Sequence, residues 1–222
     1  MSDKKALSAI LVLMGIALVM CLGICFSCSE HEDTYYGNTS VGNILLDNNS
    51  IVSTEAYDPS TMNAIGVIVG SRSDSVWIVS TKELGQYSYS DSLESAQDVS
   101  TDISELNGRE NTAALLQSET RSQAAIAVQE FNAKSSVKGW FLPSLGELRM
   151  LAVNLNKVSS TMKVVGGDPF VSTQYLSSTQ DGSNSQTEIM YAYCVTLQTN
   201  YVSSILKTET AQVRPILRLK IK

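Results

Sequence analysis

Histidine is almost missing from this sequence: 222 residues contain one, His31. That excludes a His-rich metal cluster, and any Ser-His-Asp triad would depend on this one side chain. Cysteine is scarce, with four in all, and Cys21, Cys25 and Cys28 are bunched near the start. Basic residues are outnumbered, 16 Lys+Arg against 22 Asp+Glu, giving a net charge of −6. Such a balance argues against nucleic acid, whose binders cluster cations against phosphates. There is no glycine-rich phosphate loop and no Gly-x-Ser-x-Gly elbow. The length suits one domain, at most two small ones.

What is present starts with Lys4 and Lys5, after which residues 6–26 carry no charge. A basic start followed by an apolar run is the pattern of a secretory signal. The run is also long enough to span a bilayer, so an uncleaved anchor helix is the alternative. Lipoprotein signal peptidase needs a small residue before the cysteine it exposes, and only Cys28, behind Ser27, has one. Cys25 is a departure, standing where Leu, Val or Ile is usual. The tract Ser29-Glu30-His31-Glu32-Asp33 resembles the export tag of surface lipoproteins in Gram-negative gut anaerobes. The expectation is a signal peptide over 1–27, a lipid on Cys28, and an outer-membrane protein facing outside the cell. Losing Asp3, Lys4 and Lys5 with the signal shifts the net charge from −6 to −7. Cys194 is then the one cysteine besides Cys28, so no internal disulfide forms. It reads as a small buried apolar residue.

Residues 28–43 are polar and read as a tether, leaving 44–222 as a single domain. Residues 65–69 and 76–79 are β-branched runs bounded by Gly, Ser and Asp, which predicts a hairpin with a loop longer than two residues. Residues 85–110 read as a polar surface excursion without a clear period, ended by a turn at Asn107-Gly108. A first helix is expected over 113–133, whole or broken near Glu119. Pro143 and the Ser144-to-Glu147 capping box open a second, with Leu148, Leu151, Leu155 and Val158 on one face. Gly166-Gly167-Asp168-Pro169 stops it. Short β-rich segments at 174–178, 191–197, 201–206 and 213–222 predict an antiparallel meander. In the last, Leu217, Leu219 and Ile221 alternate with Arg218, Lys220 and Lys222. The class is α+β, two helices packed on antiparallel sheets.

Four pieces together resemble one family: Asn111-Thr112-Ala113; Gly139-Trp140-Phe141-Leu142-Pro143-Ser144 with Glu147-Leu148; Tyr175-Leu176-Ser177-Ser178-Thr179; and Val213-Arg214-Pro215-Ile216. Their order and spacing are similar to the C-type-lectin-like domain at the C-terminus of the Lcl collagen-like adhesin. The resemblance covers 108–218 well and 44–222 loosely. Leu176 stands where the family usually has Trp, and Cys194 where an aromatic is common. Read physically, these residues are structural. Trp140 and Leu142 bury ahead of the second helix, Pro143 fixes the chain direction, and Glu147 caps rather than acts as an acid. Arg214 bridges carboxylates or carbonyls between strands, and the hydroxyls of 177–179 satisfy buried backbone.

No positioned nucleophile or acid/base pair stands out, so the expectation is not an enzyme. The formylglycine-generating relative of the lectin-like fold uses a cysteine pair, and only Cys194 is present here. Neither Glu-Pro-Asn nor Gln-Pro-Asp appears, which argues against a lectin-type calcium site; no cofactor and no metal are expected. The leading reading is a surface binding module. Tyr175, Asn184, Tyr191, Tyr193, Asn200 and Tyr201 lie in the half of the chain that such domains present to ligands. Tyrosine and asparagine supply rigid contact area and adaptable hydrogen bonds. The resemblance implies glycan or glycosaminoglycan adhesion, and the negative charge favours a protein or neutral glycan over a polyanion. The alternative is a structural subunit of a surface appendage or a polysaccharide-handling assembly.

Overall fold

The computed structural model describes residues 34–35, 38–96, 98–183 and 189–221. The expected signal peptide, Cys28, Asn184 and Lys222 lie outside them. Among the described residues no helix is long and apolar enough to cross a membrane.

The strands form two sheets. One runs β1 (Thr34–Tyr35), β12 (Ile216–Ile221), β5 (Ser75–Ser80), β4 (Ala64–Arg72), β2 (Ile44–Leu46), β3 (Ile51–Val52), with β7 (Trp140–Phe141) also on β12. The other runs β10 (Tyr201–Leu206), β9 (Tyr191–Thr196), β8 (Gln174–Asp181), β11 (Thr210–Val213), β6 (Gly85–Ser88). Pairing is antiparallel except β1 with β12 and β8 with β11. The class is therefore α+β.

The apolar runs at 65–69 and 76–79 do form a hairpin, but its loop is the two residues Ser73-Asp74, because Arg72 pairs with Ser75. Ser73 supplies the positive φ that such a short turn needs. These strands are continuous apolar runs because both faces are covered. Val67, Trp77 and Val79 face a core with Leu148, Leu151 and Val158 of the helices, Tyr175 and Val195 of the other sheet. Ile68, Val76 and Ile78 face a separate core with Trp140, Leu217 and Leu219. A third core packs Leu176, Ala192 and Cys194 against Leu115, Ala124 and Val128.

The first expected helix is broken near Glu119, the second of its two expected forms, and the other expected helix is also broken in two. α1 (Gly108–Gln117) and α2 (Gln123–Lys134) part at residues 118–122, and Ser122 caps α2 by accepting from the Ala125 N–H. α1 starts five residues before Ala113, so Asn107-Gly108 opens a helix instead of marking a turn. α3 (Leu145–Val153) and α4 (Leu155–Val164) part at Asn154, whose side chain donates to the carbonyls of Val69 and Met150. The Ser144–Glu147 capping box is formed in full, and Gly166, at φ 65°, ends α4.

Two further expectations are corrected. The tether ends before residue 43: β1 pairs with β12, and the Gly42 N–H donates to the Ile68 carbonyl. The 85–110 excursion is not a free surface loop, since it begins as β6 and buries Tyr89, Ser90, Ala96 and Val99. The meander holds for β8, β9 and β10, while the segment 213–222 splits between the two sheets at Arg214-Pro215.

Candidate functional site

Residues from three of the four motif pieces converge on one junction. The Leu142 N–H donates to Thr112 Oγ1, the Leu145 N–H to Thr179 Oγ1 and the Ser178 N–H to the Pro143 carbonyl. Asn111 Nδ2 reaches Ser178 Oγ, and Ser177 Oγ donates to the Tyr193 carbonyl. Trp140 is buried, its indole donating to the Val137 carbonyl and stacked edge-on against Phe131. Glu147 is wholly buried; Oε2 accepts from the Ser144 N–H and Oε1 from Trp77 Nε1. Burial pushes its carboxyl up to about 7 against those donors. Arg214 donates to the carbonyls of Ser80, Thr81 and Asp168, lies over the Phe170 ring and pairs with Glu83 at 3.5 Å. Cys194 is buried, and burial pushes its thiol up to about 12, so it packs as an apolar group.

The tyrosine set does not assemble. Tyr175 is 0% exposed in the core, with its hydroxyl donating to Glu83 Oε2, and that burial removes it from any ligand surface. Tyr191 and Tyr193 share one face of β9. Tyr201 pairs with Thr196, which puts it on the opposite face, 65% exposed. Asn200 takes φ 52° in the turn joining β9 to β10, a backbone role. Beside Tyr193 lies Asp181, which accepts from Ser204 Oγ and from both the N–H and Oγ of Ser183. Burial would raise this carboxyl, but the donors from Ser183, Ser204 and Tyr193 outweigh it and hold it below the usual range.

A hollow among the described residues lies elsewhere. A cleft of about 610 Å³ opens between the chain after β6 and α1. Glu94, Ser95 and Asp98 form one wall. Glu110, Ala113, Ala114 and Gln117 of α1, continued by Ser118, Glu119 and Thr120, form the other. Four acidic residues thus line one concavity, with Glu110 held by Arg218 at 2.9 Å.

The first wall is fixed by two buried polar side chains, one in β8 of the second sheet and one in the turn after β10. Gln180 accepts from the Ala96 N–H and donates to the carbonyls of Ala96 and Val99. Lys207, fully buried beneath the Tyr89 ring, donates to the Glu94 carbonyl at 2.8 Å and to Gln180 Oε1 at 2.5 Å. Burial pushes its ammonium down to about 8. Nothing in local sequence pattern announced this cleft, because its first wall is held by residues more than eighty positions away. Two polar residues set in or just after β-rich segments, Gln180 in β8 and Lys207 after β10, were the available signal.

The chain matches no protein-family model and no curated protein sequence.

Proposed function

We propose that this chain is a surface lipoprotein carrying a C-type-lectin-like domain that binds a glycan or protein ligand without catalysis. The observation that carries the binding reading is the cleft beside α1. Its volume lies in the range of small-ligand sites, and its walls are pinned in advance, which lowers the ordering cost of binding. Four carboxylates accept hydrogen bonds and repel polyanions, so the ligand is one rich in hydroxyl or ammonium donors. The junction of three of the motif pieces supports the lectin-like reading, since residues 111–112, 142–147 and 177–179, distant in sequence, serve one packed joint. The buried hydroxyls at 177–179 and the buried Cys194 are engaged in that joint or in the core, which supports a binder over an enzyme.

Binding is tested on arrays of neutral glycans and matrix proteins, using the chain from Cys28 onward. Glu94→Gln with Glu119→Gln should weaken capture by roughly tenfold or more while leaving the melting midpoint in place, as two charge-assisted contacts are lost. If Tyr191→Ala or Tyr193→Ala abolishes capture and the glutamine pair does not, the ligand sits on β9 and the cleft reading fails. For the anchor, palmitate labelling should be strong in the wild type and lost in Cys28→Ala. Equal labelling of the two, or retention of residues 1–27, would favour the uncleaved helix.

A further inference from the structure

Natural sheets guard their edges with charge, proline or bulges, and β10 has none of these along Tyr201-Val202-Ser203-Ser204-Ile205-Leu206. It is the edge of the second sheet. Which of its main-chain groups face outward follows from register. The Lys207 N–H donates to the Met190 carbonyl. By alternation, Ile205, Ser203 and Tyr201 turn their backbone groups to β9, and Leu206, Ser204 and Val202 turn theirs away. Glu209 closes the Leu206 end: its Oε2 takes the Leu206 N–H at 3.2 Å and its own N–H donates to the Leu206 carbonyl. Among the described residues, two outward N–H groups and two outward carbonyls are left, on Val202 and Ser204.

We infer that β10 is a self-pairing edge, joining two copies of this chain antiparallel about a two-fold axis between their Ser203 residues. In that register Val202 of each copy faces Ser204 of the other, and the four open groups of each edge satisfy those of its mate. Sliding to a Ser204-centred register would need the Leu206 groups that Glu209 already holds. The opposed side chains carry no charge, so nothing on the strand repels its own copy. Ser203 meets Ser203, and the exposed ring of Tyr201 covers Ile205 of the second molecule as a close non-hydrogen-bonded pair. A patch this small, on a chain of net charge −6, makes a weak, concentration-dependent dimer.

Cross-linking of the full chain in detergent under mild oxidation tests this. Opposed residues of a non-hydrogen-bonded pair lie about 4.5 Å apart, within disulfide reach. Ser203→Cys should give a disulfide dimer about tenfold above wild type, and Ser204→Cys should stay at background. Adding Val202→Pro to Ser203→Cys should abolish the dimer while the domain stays folded, because that N–H faces away from β9 and the side chain packs only at the margin of the first core. Tyr201→Lys, at an exposed site, should abolish the dimer with the melting midpoint kept. An absent Ser203→Cys dimer, an equal Ser204→Cys dimer, or cross-linking undiminished by both Val202→Pro and Tyr201→Lys in folded protein overturns the inference.

Discussion

Glu147 shows how one side chain answers two demands that oppose each other. Capping α3 calls for a carboxylate, whereas full burial between Trp77, Ser144 and Gly108 disfavours the charge. Burial prevails, leaving the carboxyl near 7 where the unfolded chain has about 4.5. The folded state therefore holds this proton more tightly. Its contribution is fully present below about pH 4.5, is lost as pH rises toward 7 and is constant above, on the order of 3 kcal/mol in all. The wild-type melting midpoint should accordingly be lower near pH 8 than near pH 5, and Glu147→Gln should flatten most of that slope. Glu83, also raised by burial against Arg214, leaves a residual slope of the same sign. Lys207 does not interfere, because a depressed ammonium adds stability only as pH climbs above about 8. A melting curve with equal pH dependence in wild type and Glu147→Gln would show that the carboxyl is ionised throughout.

Among the elements, α3 is the one whose sequence and surroundings disagree most usefully. Gly146 sits in its first turn, where alanine would favour the helix by about 1 kcal/mol. A Cβ at that position would lie 2.6 Å from the Glu105 carbonyl oxygen and 3.2 Å from that of Ser104. Both obstacles are backbone, so the clash outweighs the propensity gain. Gly146→Ala should lower the melting midpoint, and a rise would mean that the 104–106 segment moves aside freely. The capping box of this helix was legible in the sequence because it is a local code, and so was the β4–β5 hairpin. The start of α1 was not. Asn107-Gly108 has turn chemistry, but Gly108 opens a helix where Glu147 Oε2 would lie 2.3 Å from any added Cβ, a fact set by a residue thirty-nine positions away. The candidate site was less legible still. Placing Tyr201 opposite Tyr191 and Tyr193 depends on strand register, and the cleft depends on Gln180 and Lys207 gripping residues 94–99.

At the largest scale, the described residues form two sheets with helices between and beside them, and the chain crosses from one sheet to the other at Val213-Arg214-Pro215-Ile216. Pro215 offers its carbonyl to the Ser80 N–H, while Arg214 gathers the carbonyls of Ser80, Thr81 and Asp168 under the Phe170 ring. Its guanidinium is also the countercharge for Glu83, to which Tyr175 of the second sheet donates. One side chain therefore links the end of β5, the segment after α4 and the strand that reaches both sheets. Breaking a buried pair costs far more than the pair itself contributes, since the remaining charge and acceptors lose their partner. Arg214→Ala should destabilise by about 3–5 kcal/mol, and Arg214→Lys should recover only part of it because an ammonium cannot span three carbonyls in a plane. Adding Glu83→Gln to Arg214→Ala should restore some stability by removing the uncompensated carboxylate. Denaturant midpoints of the four proteins give the answer. If Arg214→Ala unfolds near the wild-type midpoint, or Glu83→Gln makes it worse, the guanidinium is not what joins the sheets there.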